Sequence, residues 1–538
     1  MHCWLSDSLR RFYPRSPMER RDRLDLHALK NERVSFQMLC RTGAAHRGLT
    51  ASVSAPEGLD VRVRHVGYVP MPHFTLDTPA DELDGVDFLP GLAPDPLFPV
   101  TSVVAGPWET TSFWVSVHVA PDAPAGTHEL RAAVATSDGV EADLVVRLAV
   151  HDATLPARRD FPVTHWFYAD AILDHYRVAL GDDAFWTLLD PYFRNLVSHG
   201  QDTLYVPIIT PPLEGFRRPV QLLGISRDGE VDGDDARYRF DWSWVRRWVD
   251  LAKSAGIERF EWAHLFTQWG AAHAPRVYAD HGEDAHELWP PETPAMSETY
   301  RTFLRQFLPA FERFLRAEDL LDRSFFHLSD EPAAGEHLAN YRAARSLLRE
   351  LAPWMTIMDA LSEVEFAREG LVDTPVAILP EVPAFTAEQI PVWAYFCCVP
   401  TGRYLNRALD TPLSKIRMAG PLFYWTGVGG FLHWGYNFWY ASGTAKLIDP
   451  FMESNGRVWP GWPAGDPFVV YPGPDGPFDS LRWEVFAESL QDYALFQAAA
   501  IPRDDPLFAD VKDFADFPRG SAWLAAARAE AMRRLVAS

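Results

Sequence analysis

At 538 residues the chain exceeds one simple domain, and with 47% hydrophobic residues it can bury a sizeable core, which excludes general disorder. A net charge of −23 argues against nucleic acid and anionic membrane surfaces as partners, because both require a basic patch. The four cysteines (Cys3, Cys40, Cys397 and Cys398) lack CxxC spacing, so neither a zinc ribbon nor a dithiol redox motif is written here.

Residues 1–23 read as an N-terminal extension. They carry arginines but no apolar stretch after them, so a secretory signal is not expected. No run of about 18 apolar residues follows anywhere, so a membrane span is not expected either, and the expected location is the cytoplasm. Residues 24–155 read as a β-sandwich. Short Val-rich strands such as "FWVSVHV", "RAAVATSDGV" and "EADLVVRLAV" alternate with turn-rich segments, and Ser137-Asp138-Gly139 is the expected hairpin turn. "HDATLPARRDFP" (151–162), with two prolines and several charges, reads as a boundary linker.

From residue 156 the rhythm becomes strand–helix. The expected strands are "VTHWFY" (163–168), "TLYVPII" (203–209), "IERFEWAHLF" (257–266), "SFFHLS" (324–329), "MTIMDA" (355–360), "PVAILP" (375–380), "VWAYFC" (392–397) and "GFLHW" (430–434). Between the early ones lie helices with 3.6-residue apolar spacing. One carries Phe185, Leu188, Leu189, Tyr192, Phe193 and Leu196 and stops at Gly200; another carries Trp244, Val245, Trp248, Leu251 and Ala252 on one face and stops at Gly256. Such an alternation predicts a (β/α)₈ barrel over 156–475. The segment 476–538 predicts a C-terminal helical part packed on the barrel's outside, since Leu481, Val485, Leu490, Tyr493 and Leu495 line one apolar face.

Barrel active sites lie at the C-terminal strand ends. "HLSDEP" places Asp330 and Glu331 side by side there, and Pro332 biases Glu331 toward an extended conformation. Two close carboxylates repel, so one keeps its proton near neutral pH, a division of labour that glycoside hydrolysis needs. Adjacent acids do not suit an ordinary pair facing a sugar from opposite sides. They suit substrate-assisted hydrolysis, in which the substrate's 2-acetamido oxygen attacks C1, an Asp orients that group and a Glu is the acid and base. A helix cap at Asp330 and a surface salt bridge at Glu331 are the plainer alternative. Other strand ends add His264, Gln268, Trp269, Asp359, Trp393, Tyr395, His433, Trp434, Asn437 and Trp439 as candidate sugar contacts, polar groups interleaved with aromatic platforms.

Several stretches resemble a known group: "HLSDEP", "VWAYFCCVPTGRYLN", "TPLSKIRMAGPLFYWTGVGGFLHWGYNFW" and "GDPFVVYPGPDGPFDSLRWEVFAESLQDYALF". They are similar to the barrel proteins called domain of unknown function 4091, whose characterised relatives are glycoside hydrolase family 123, β-N-acetylgalactosaminidases. "LHALKNERVSFQM" and "APDAPAGTHELRAAV" resemble that group's N-terminal sandwich. The resemblance covers nearly the whole chain after residue 24. It implies that Asp330 stabilises the acetamido group, that Glu331 is the acid/base, that Tyr395 and the tryptophans of "FLHWGYNFW" line the sugar pocket, and that no metal or organic cofactor takes part. Three other readings stay open: a retaining glycosidase with a protein nucleophile, for which Glu381 is the first candidate; a metal-dependent sugar isomerase or lyase using His264, Asp330, Glu331, Asp359, Glu381 and His433; and a non-catalytic carbohydrate-binding barrel.

Overall fold

The computed structural model describes residues 1–137, 139–228, 236–281 and 285–537. Its first part is built of β1 (His2–Asp7), β2 (Arg23–Lys30), β3 (Arg33–Arg41), β4 (His46–Ser54), β5 (Leu59–Met71), β6 (Gly91–Phe98), β7 (Ser102–Ala105), β8 (Thr110–Val119), β9 (Gly126–Thr136) and β10 (Gly139–Thr154). These make two five-stranded sheets, ordered β1-β3-β8-β5-β6 and β2-β10-β9-β4-β7. Period-two alternation explains their stacking: Phe113, Val115 and Val117 of β8 meet Val134, Val146 and Leu148 of the other sheet in one buried cluster. Residues 2–7 are not an extension. Trp4 and Leu5 are buried, and β1 pairs antiparallel with β3 as the edge strand. Asp138 of the expected hairpin turn lies outside the described residues, while β9 and β10 on either side pair antiparallel.

The second part holds eight parallel strands: β11 (Val163–His165), β12 (Thr203–Val206), β13 (Arg259–Trp262), β14 (Ser324–Phe326), β15 (Met358–Ala360), β16 (Thr374–Ile378), β17 (Trp393–Tyr395) and β18 (Phe431–His433). They neighbour one another in chain order, β18 returns to β11, and a single parallel bridge from Phe326 to Ile357 joins β14 to β15. The sheet is thus a nearly closed barrel. Each strand is shorter than its sequence suggests, chiefly at the C-terminal end. His327–Ser329, for example, leaves the sheet because its backbone bonds to neighbouring loops and to Asp359. The helix Asp183–Ser198 ends before Gly200 (φ +81°), and Ser243–Ala255 ends at Gly256 (φ +107°), left-handed positions that glycine adopts without a Cβ penalty.

The helix Leu481–Ala498 differs from expectation. It is capped by Ser480, whose hydroxyl accepts from the Trp483 N–H at 3.1 Å. Rather than lying on the barrel's outside with one face in water, it is buried nearly all round between barrel and sandwich. Its charged residues are therefore buried and each is paired across the chain. Arg482 meets Asp95, Glu484 meets Arg64, Glu488 meets Arg417, and Asp492 meets Arg417 and Arg528. The helix Ala419–Thr426 approaches so closely that a Cβ on Gly420 would stand 1.7 Å from the Ser489 carbonyl oxygen. Among the described residues no helix is long and apolar enough to cross a membrane.

Candidate active site

The loop after β14 positions the acid pair. The Trp269 N–H donates to the Asp330 carbonyl at 2.8 Å, and the Glu331 N–H donates to the Ala360 carbonyl at 3.0 Å. These bonds hold Glu331 at φ +44°, in the left-handed region rather than extended as Pro332 alone would favour. A non-glycine residue there is strained, and it persists because its surroundings over-determine it. The turn sends the two neighbouring side chains into different surroundings. Asp330 is buried and accepts from Gln268 Nε2 at 2.8 Å. Glu331 is exposed and accepts the Tyr395 hydroxyl at 2.8 Å. Burial, then the Glu331 charge, push the Asp330 carboxyl well above the usual carboxylate range.

Beneath the pair, side chains from nonadjacent strands meet inside the barrel. Glu261 accepts from Thr164 (2.5 Å), Trp166 Nε1 (2.9 Å) and His327 Nε2 (2.8 Å). His327 Nδ1 lies 3.2 Å from Asp359. Burial alone would lower the His327 pKa, but the bonds to Asp359 and Glu261 hold it up to about 9, so the ring is a buried cation. Its charge opposes the rise at Asp330.

Several expected sugar contacts are consumed elsewhere. The Asp359 carboxylate takes the Leu328 and Ser329 N–H groups and the Tyr341 hydroxyl besides His327, so it braces the acid loop from below. Asn437 spends its amide on both backbone groups of Tyr168, at 2.8 and 3.0 Å. Trp439 is fully buried, donates to the Val470 carbonyl and packs on His175 and Tyr192. Trp393, two residues before Tyr395 on the same face of β17, meets Phe325 edge-on at 5.1 Å and plugs the barrel. His433 stacks on His165 and is held neutral by burial and by Arg407 and Arg482. Trp269, by contrast, is 54% exposed beside Asp330, as a stacking platform must be.

Of the six residues of the metal reading, His264 and Asp359 fall in one buried group whose ligand atoms lie within 4.8 Å of one another, with His327 as its third member, and His327 spends both ring nitrogens on Asp359 and Glu261. Glu381 stands exposed just before the helix Val382–Ala387, with no hydrogen bond to Asp330 or Glu331 among the described residues.

Two acids absent from the expected set stand at the site. Glu214, in the loop after β12, donates its backbone N–H to Gln268 Oε1 at 3.1 Å, so one amide bridges it to Asp330. Burial raises its carboxyl, opposed by the Gln268 amide and Arg217 and helped by Glu331 and Asp466. Asp466 is buried and accepts Trp434 Nε1 at 3.0 Å, and burial lifts its carboxyl to about 7. Both had a signal: "ITPPLEG" follows the second strand directly, and "GDPF" stands within a stretch already carrying the resemblance.

The sequence profile of the glycoside hydrolase 123 catalytic domain matches residues 166–499. In structure, the chain is similar to a family 123 glycoside hydrolase from Clostridium perfringens, described for glycolipid glycan hydrolysis, with TM-score 0.72, 13% identity and coverage of 100% of this chain and 97% of that one. A Bacteroides ovatus family 5 xyloglucanase (TM-score 0.30, 10% identity, 92% and 100% covered) and a family 39 enzyme from Bacteroides cellulosilyticus (0.34, 11%, 87% and 81%) match too weakly to inform the site. No curated protein matches the chain. The profile spans more than half of the chain, including every strand of the barrel after β11 and the acid pair, and on that ground the chain belongs to glycoside hydrolase family 123 and is a glycosidase.

Proposed function

We propose that the enzyme removes a terminal β-linked 2-acetamido sugar, N-acetylgalactosamine-like, with retention and with the substrate's acetamido oxygen as nucleophile. Asp330 orients the acetamido group, and Glu331 protonates the leaving oxygen and then activates water. The observation that carries this reading is the split surroundings of two adjacent carboxyls, one buried on Gln268 and one exposed on Tyr395. In the free enzyme the pair shares a proton that Asp330 is pushed to hold. An acetamido N–H donated to Asp330 favours its charged form, with His327 beneath in support, and leaves the proton to Glu331, where the leaving group needs it. As the oxazolinium-like intermediate forms, its positive charge meets the Asp330 carboxylate.

The test is a panel of aryl β-glycosides, with and without the acetamido group, against wild type and Glu331→Gln. A glycolipid glycan is the first natural substrate to add, given what the Clostridium perfringens enzyme is described as hydrolysing. Turnover confined to 2-acetamido sugars, with the β-anomer released first in NMR, is the expected result. Efficient cleavage of a plain β-galactoside would sink the substrate-assisted reading and favour a protein nucleophile. Glu214, tied to Asp330 through Gln268, would then be the first candidate in place of the exposed Glu381. Binding of sugars without any turnover would point to a non-catalytic barrel.

A further inference from the structure

We propose that Glu214 is a specificity-determining residue that reserves the sugar pocket for uncharged sugars and turns away sulfated ones. The inference rests on the reading of Asp330 and Glu331 given above and goes beyond it to the charge of the accepted substrate.

The geometry begins with Gln268, whose carbonyl is held by the Glu214 N–H and whose amide nitrogen is spent on Asp330. Glu214 is half-buried at φ +51°, in the left-handed region again. The loop is not free to swing its acid away. Arg217 clamps it by donating to the Leu213, Glu214 and Gly215 carbonyls at 3.2–3.3 Å. The guanidinium lies 5.1–5.5 Å over the rings of Tyr168, Phe438 and Tyr440.

The cations that act on the site's acids are already engaged: Arg217 draws the Glu214 carboxyl down but pairs with Asp170, and His327 draws Asp330 down but is bonded to Glu261 and Asp359. Among the described residues no Lys or Arg hydrogen-bonds to the side chains of Glu214, Asp330, Glu331 or Asp466. Three arginines surround the loop, and each is engaged by an acid outside the pair: Arg217 by Asp170, Arg218 by Asp174, and Arg276 by Glu287. His264 and His433 are kept neutral by burial, while Arg407 and Arg482 act on Asp466 from the buried side. A sulfate brought beside Glu214 and Glu331 meets their negative charges and, among the described residues, no cation free of an acid partner, and such juxtaposition is a strong means of rejection. A neutral sugar meets the same carboxylates as hydrogen-bond acceptors for its hydroxyls.

The experiment compares kcat/KM for aryl 2-acetamido-2-deoxy-β-galactosides carrying, at C3, C4 or C6, a sulfate or a mesyl ester. The mesyl group is of similar bulk and uncharged, so the sulfate-to-mesyl ratio isolates charge from size. In the wild type this ratio is expected to be low at one or more positions and to rise with added salt, which screens the repulsion. In Glu214→Gln the ratio should rise about tenfold or more at the same position. An unchanged ratio in the variant overturns the proposal, as does a wild type that cleaves the sulfated and mesylated sugars equally. Loss of turnover on every substrate, with the variant still folded by circular dichroism, would make Glu214 the nucleophile and also overturn it. If the variant does not fold, the salt dependence of the wild-type ratio decides, and a flat dependence counts against the filter. If the wild type cleaves no 2-acetamido glycoside, the catalytic reading fails separately. Competition of N-acetylgalactosamine with its sulfated forms in saturation-transfer NMR then tests the filter, and equal binding rejects it.

Discussion

The helix Leu481–Ala498 and the mouth of the barrel both bury carboxylates, and they treat them in opposite ways. On the helix, Glu484, Glu488 and Asp492 each have an arginine partner, as does Asp95 through Arg482. At the mouth, Asp330 has an amide, Glu331 a phenol and Asp466 an indole, none of them a cation. Arginine pairs keep an acid charged and fix two segments together. Neutral partners leave an acid free to exchange a proton or to meet a substrate. The contrast separates acids that fix packed segments to one another from the acids to which the proposed function gives the chemistry.

Neutralising one acid from each region should give the largest and most opposite effects. Glu331→Gln should lower kcat about a hundred- to ten-thousandfold on substrates with poor leaving groups, with little change in melting temperature. Activated aryl glycosides should suffer less, unless the second half-reaction limits the rate. Asp95→Ala should do the reverse. It strands the fully buried Arg482 and should cost about 3–5 kcal/mol of stability in denaturant titration, while the remaining folded enzyme keeps its kcat. If Asp95→Ala lowers kcat and leaves stability alone, the division is wrong.

Asp330→Asn should slow all 2-acetamido substrates alike, by about 3–4 kcal/mol in barrier, the order seen when one preorganised electrostatic group is removed. A loss that depended on the leaving group would assign it the acid's role instead. Asp466 adds a pH test. Its carboxyl is raised from 3.8 to about 7, so the folded state binds the extra proton between those values. Stability from this group is therefore present below about pH 4 and is lost as the pH rises through 7. Asp466→Asn should flatten that loss, melting higher than the wild type at pH 8 and alike at pH 4, with a difference of up to about 4 kcal/mol. The smallest effect belongs to Trp269→Ala. Removing an exposed stacking platform should weaken KM by about 1 kcal/mol, the worth of a sugar face taken from water, with kcat nearly unchanged.

Much of the architecture was legible because it is local. Seven of the eight barrel strands fall within the segments read from apolar runs and the eighth, Thr374–Ile378, starts one residue earlier, while the stops at Gly200 and Gly256 follow from turn chemistry. The edge strand His2–Asp7 was missed because a short run of mixed residues before an arginine-rich stretch carries no alternation long enough to register. Among the candidate contacts, Trp269, Gln268 and Tyr395 stand at the acid pair. Asp359, Asn437 and Trp439 have the right residue types at strand ends, yet backbone groups and core rings claim them. A strand end says that a side chain is near the mouth, not which way it faces or what reaches it first.

The order of elements, the barrel and the strand-end position of Asp330 and Glu331 follow from contiguous residues, because periodicity and strand ends are local properties. Which acids are paired depends on contacts between distant segments of the folded chain. The amphipathic pattern of 481–498 assigns its charges to water, but their partners come from residues up to several hundred positions away, and pairing alone makes their burial tolerable. The same nonlocal contacts bring Glu214 to Gln268 and turn Glu331 into its left-handed conformation, since a hydrogen bond to Ala360 outweighs what the following proline prefers.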